Sequence, residues 1–96
     1  MSRRRFLVTY DVSDPKRLKA IHKSMEGFGR HVQFSVFLCE LNSREFLQME
    51  QRLQKIVHHR QDQALIFDLG LASNDRDDLI QSIGRDYEEP PKVFIA

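Results

Sequence analysis

The chain contains a single cysteine, Cys39, so no internal disulfide can form. That thiol falls in an apolar alternation, where a buried free cysteine is expected. No stretch approaches the ~18 apolar residues of a membrane-spanning helix. The basic start, Met1 to Arg5, precedes an apolar run that ends at Asp11, too short for a secretory signal, so a cytoplasmic location is the expectation. Repeats, low-complexity tracts and interdomain linkers are missing. So are a glycine loop to cradle phosphate, a cysteine–histidine zinc pattern and any recognisable serine or cysteine hydrolase motif.

What is present is one folded domain. Of its 96 residues, 41% are apolar and 30% charged, a balance suited to a packed core. A domain this small buries a modest share of its surface, and a dimer interface would add to it. The net charge of +1 hides an asymmetry. Residues 1–60 carry 12 Lys/Arg against 6 Asp/Glu, and residues 61–96 carry 3 against 8. The basic segment suits a polyanionic partner as well as it suits a mixed solvated surface.

Phe6-Leu7-Val8-Thr9-Tyr10-Asp11-Val12 is a nearly continuous apolar run with β-branched and aromatic residues, which predicts a central strand. Phe6, Val8, Tyr10 and Val12 share one face; Leu7, Thr9 and Asp11 share the other. Ser13-Asp14-Pro15 predicts a helix start, followed by a stripe of Leu18, Ile21, Met25 and Phe28, with Lys16, Lys19 and Lys23 on other faces. Residues His31 to Leu41 alternate, as one long strand or as two short ones. A capping box at Asn42 and Glu45 opens a second amphipathic helix through Phe46, Met49, Leu53, Ile56 and Val57, with Arg52 and Lys55 on its outer face. Ala64 to Leu71 predicts another strand. Leu79 to Ile83 reads as a short strand or one helical turn, and Val93 to Ile95 as a C-terminal edge strand after Pro90-Pro91. This order predicts an α+β, ferredoxin-like βαββαβ fold over residues 1–96, with residues 84–96 as a tail that pairs across a dimer.

Asp11 stands out as chemistry. A carboxylate near the end of an apolar strand needs a cation or a donor to satisfy it. It suits a cap for the helix that follows, and it also suits a metal ligand. One aspartate alone is a poor Mg²⁺ site, but a two-fold axis would bring a second Asp11 beside the first. His58-His59 point about 100° apart on a helix and do not chelate together; His22 and His31 are isolated. Arg3-Arg4-Arg5, Lys16-Arg17 with Lys19, and Arg30-His31 lie near the first strand and helix and form a candidate phosphate-binding set.

Three segments resemble the CRISPR-associated protein 2 family. These are Phe6 to Asp14, ending in Tyr-Asp; Gly29-Arg30-His31-Val32-Gln33-Phe34-Ser35-Val36-Phe37; and Ile83-Gly84 with Pro91 to Ile95. The resemblance implies a ferredoxin-like homodimer that binds duplex DNA and bridges the subunits of a CRISPR-associated integrase during spacer acquisition. It also implies an Mg²⁺- or Mn²⁺-dependent endonuclease acting on RNA or DNA. Asp11 from each protomer would then hold the metal, with Tyr10, Ser35 and Phe37 at motif positions near that site. The chain departs from the pattern at His31, where an arginine is usual, and in its lysine-containing first helix. The alternatives are a stand-alone toxin-like endoribonuclease and a non-catalytic RNA-binding module of the same topology. The Lys/Arg-Gly-Phe/Tyr signature of such modules is absent.

Overall fold

A computed structural model describes residues 2–72 and 80–87. The element order is β1 (Arg4–Asp11), α1 (Pro15–Met25), β2 (Gly29–Gln33), β3 (Val36–Leu41), α2 (Ser43–Ile56) and β4 (Gln63–Leu71). The four strands form one antiparallel sheet in the order β2-β3-β1-β4. Both helices pack on one face of it.

The period-2 pattern of β1 decides which face. Phe6, Val8, Tyr10 and Val12 are buried against Ile21 and Met25 of α1 and Met49 and Leu53 of α2. Phe37, Cys39 and Leu41 complete that core from β3; the Val8–Phe37 and Phe6–Cys39 partners bring their side chains together. Burial pushes the Cys39 thiol up to about 12, so it stays protonated and inert at neutral pH.

The alternating stretch His31 to Leu41 is divided between two strands, β2 and β3. They reverse at Phe34-Ser35, where Ser35 takes φ +64° and Phe34 is 75% exposed. Two residues joining antiparallel strands is the commonest hairpin connection, but this pair lacks the Asn-Gly chemistry that announces it. Asp14 is the N-cap of α1, its carboxylate accepting from the Arg17 N–H at 3.0 Å. The capping box of α2 forms as its sequence predicts. Near the end of β4 a bulge beside Phe6 places Gly70 at φ +95°, where its N–H donates to Asp68 Oδ1. Residues 80–87 contain no helix or strand, in place of the short element read at Leu79 to Ile83. The edge strand read at Val93 to Ile95 lies outside the described residues.

Gly29 opens β2 against β3 with no room for a side chain. A Cβ there would sit 2.5 Å from Cys39 Sγ and from the Leu38 carbonyl oxygen. Gly29→Ala is expected to cost roughly 1–3 kcal/mol through overpacking, read as a lower midpoint in chemical denaturation. An unchanged midpoint would mean that β2 shifts freely.

Candidate nuclease site and basic surface

Asp11 ends β1 on the face away from the helices, opposite Gln63 of β4. The cap reading does not apply to it, because Asp14 caps α1. Asp11 is exposed, and among the described residues its carboxylate makes no hydrogen bond or ion pair. Leu7, Thr9, Val36, Leu65 and Phe67 share its face by strand register, with Leu65 44% and Phe67 47% exposed. Leu38 also lies on this face and is buried. The free carboxylate therefore stands at one end of an open, largely apolar sheet surface.

Tyr10, Ser35 and Phe37 come together, but on the other side of the sheet from Asp11. Phe37 is wholly buried and Tyr10 nearly so, which makes both part of the core. The Tyr10 N–H donates to the Ser35 carbonyl at 3.1 Å, and the Tyr10 hydroxyl bonds the Ser35 side chain and lies 3.3 Å from His22 Nδ1. Burial, chiefly, raises the Tyr10 pKa, opposed by the Ser35 bond and assisted by the charge of Glu26, so the phenol keeps its proton at neutral pH. These contacts fix the backbone next to Asp11 to the β2–β3 turn. His31 stacks on Phe37 at 5.0 Å between ring centres and meets the His22 ring edge-on at 4.9 Å. Its Nε2 is buried with no partner among the described residues.

The predicted phosphate-binding set divides into two kinds. Arg3 pairs with Glu45 at 2.7 Å, Arg4 with Asp68 at 3.1 Å, and the largely buried Arg5 with Glu40 at 3.1 Å. Arg17 grips Asp62 at 2.6 Å and reaches Gln61. Lys16 and Lys19 are exposed and make no ion pair among the described residues; Arg30 is exposed on β2. Sequence reasoning could not separate these kinds, because Glu45, Asp68 and Asp62 lie 42 to 64 residues from the arginines that they neutralise.

The Arg17–Asp62 pair has a consequence in acid. The Asp62 carboxylate is covered, and the Arg17 hydrogen bond, with help from the His58 N–H, holds its pKa below the ordinary 3.8. The folded chain therefore binds this proton less readily than the unfolded one. The stabilisation is complete above about pH 4 and is lost as pH falls through the lowered value. Asp62→Asn is expected to lower the melting temperature at pH 7 and to flatten its decline below pH 4. A parallel decline in both proteins would show that other carboxylates govern acid unfolding.

A four-stranded antiparallel sheet in the order β2-β3-β1-β4, with two helices on one face, defines a ferredoxin-like α+β protein. The family model described as CRISPR associated protein Cas2 matches residues 4–77. The chain belongs to this family. It is 37% identical over 83 residues to the CRISPR-associated endoribonuclease Cas2 of Geobacter sulfurreducens, covering 86% of each chain. Identity is also 37% over 83 residues to the CRISPR-associated endoribonuclease Cas2 1 of Rhodospirillum rubrum, covering 86% of this chain and 80% of that one. The crystal structure of Streptococcus pyogenes Cas2 superposes with a TM-score of 0.71 at 30% identity, over 83% of this chain and 99% of that one. No helix among the described residues is long and apolar enough to cross a membrane.

Proposed function

We propose that the chain is a homodimeric, metal-dependent endonuclease that also holds duplex DNA between integrase subunits during the acquisition of CRISPR spacers. The observation that carries the reading is Asp11, an exposed carboxylate without a partner among the described residues, at the end of an open apolar face. Apolar surface of that kind on a small domain marks an interaction site. A second copy closing it about a two-fold axis would set identical residues opposite one another. The two Asp11 carboxylates would then meet and repel unless a cation or a proton came between them.

The donor set fits a hard divalent ion only in that arrangement. The described residues contain no cluster of three or more His, Cys, Asp or Glu able to hold a metal. Mg²⁺, however, keeps several of its waters and takes one or two carboxylates from protein, so one Asp11 from each copy suffices. Bound there, the ion would activate water and offset charge on a scissile phosphate. The chain's own part is positional. The antiparallel pairing of β1 with β3 and β4 and the Tyr10–Ser35 bonds hold Asp11, and the apolar face, once covered by a second copy, would exclude bulk water beside it. The endoribonuclease names of the relatives support cleavage and favour RNA over DNA as substrate.

The test is a cleavage assay on labelled RNA and duplex DNA with Mg²⁺ or Mn²⁺, alongside sedimentation. Cleavage should appear only with the ion and stop with chelator, and the protein should sediment as a dimer. A monomeric protein, or cleavage indifferent to chelator, would refute the proposal.

A further inference from the structure

The helix layer carries the cations that the sheet end does not. Lys16, Lys19 and Lys23 of α1 recur at three- and four-residue steps, all exposed and directed away from the buried Ile21 and Met25. On α2, Arg44, Gln48, Gln51 and Lys55 trace the face opposite Met49 and Leu53, with Arg52 on the flank. None of these six lysines and arginines has an ion pair among the described residues. The acids of α2 lie elsewhere. Glu45 is committed to Arg3 and the capping box, and Glu50, two residues from Arg52, falls on the other side of the helix. Since α1 and α2 pack against each other on the same side of the sheet, the two rows form one basic surface.

Stability does not account for Arg44. It stands at the second position of α2, where the positive end of the helix dipole disfavours a cation, and no carboxylate among the described residues pairs with it. We infer that the exposed row of α2, Arg44 through Arg52 to Lys55, is a second track for the phosphate backbone of duplex nucleic acid, continuous with the lysines of α1. The inference rests on the nucleic-acid reading above and extends it to a helix with no part in the Asp11 site.

Three features favour a duplex backbone over other acidic partners. Steps of three or four residues along a helix advance about 4.5–6 Å, so Lys16, Lys19 and Lys23 on α1 and Arg44, Gln48, Gln51 and Lys55 on α2 form two linear rows of donors instead of a pocket. The interleaved Gln48 and Gln51 add amide donors, which contact phosphate and sugar without reading bases. The row also presents no exposed aromatic ring: among the described residues the exposed phenylalanines are Phe34, in the hairpin turn, and Phe67, on β4. Single strands need stacking platforms, and protein interfaces favour aromatic anchors. The row lies on the face away from Asp11, so closing the dimer leaves it open.

Titration of a labelled 30-base-pair duplex at several salt concentrations tests this with two variants. One is Arg44→Ala with Arg52→Ala and Lys55→Ala; the other is Lys16→Ala with Lys19→Ala and Lys23→Ala. All six sites are exposed, and circular dichroism and sedimentation check that each variant folds and dimerises. Each phosphate contact contributes about 0.9 to the slope of log affinity against log salt. The α2 variant should therefore lose between about 1 and 3 of slope and bind every sequence more weakly by a similar factor. Unchanged binding by the α2 variant, with weaker binding by the α1 variant, would overturn the second track and leave nucleic-acid binding by α1 standing. No duplex binding by the unmodified protein would overturn both. Loss of binding to polyglutamate without loss of binding to duplex would assign the row to an acidic protein and refute the inference.

Discussion

Asp11→Asn is expected to abolish metal-dependent cleavage while leaving the fold and the dimer in place. The substitution keeps the side-chain shape and removes one charge at an exposed position whose carboxylate makes no hydrogen bond among the described residues, so folding should lose little. In a symmetric dimer the change occurs twice, and the ion loses both carboxylates. Removing the groups that merely orient metal ligands costs 10–100-fold, so removing the ligands should cost on the order of 100-fold or more in cleavage. The same preparation, assayed for spacer acquisition with the integrase, separates catalysis from scaffolding. If the dimer acts in acquisition as a scaffold, acquisition persists when cleavage has gone. Retained cleavage would show that the reacting group lies elsewhere. Lost acquisition in a folded, dimeric variant would tie acquisition to the carboxylate.

Phe67→Asp should turn the dimer into monomers. Phe67 is 47% exposed on the same sheet face as Asp11, beside Leu7. Covering a side chain of this size contributes roughly 2 kcal/mol. A two-fold interface counts it twice, so about 4 kcal/mol is at stake, near 10³-fold in Kd, before the cost of burying two carboxylates. Sedimentation at micromolar concentration should show the monomer, and cleavage should fall with it, because half a metal site remains on each chain. A dimer of undiminished affinity would place the interface on another face.

The local parts of this structure were legible and the non-local parts were not. The alternation of Phe6 to Val12, the stripe of α1 and the capping box of α2 each follow from residues within a few positions of one another. The same alternation placed Asp11 on the face opposite Tyr10. The hairpin at Phe34-Ser35 was not readable, since a serine at positive φ carries no turn signature. Leu38, buried on the outer face while its neighbours Phe37 and Cys39 fill the core, shows that both sides of β3 are covered there, which a two-period pattern does not reveal. The arginines misled for a physical reason. Arg3, Arg4 and Arg5 look like a phosphate clamp as a string, yet α2, β4 and β3 each bring a carboxylate to one of them. The cations of α2, without an ion pair among the described residues, look like ordinary solvated positions until those pairs are taken out of account.

The central claim is that two Asp11 carboxylates share one ion across the dimer axis. Calorimetric titration of the dimer with Mn²⁺ tests it most directly, because the stoichiometry reports the geometry. The account predicts one ion for every two chains, with binding abolished in Asp11→Asn and weakened when Phe67→Asp separates the chains. One ion per chain, or equal binding by the Asp11→Asn protein, would contradict it.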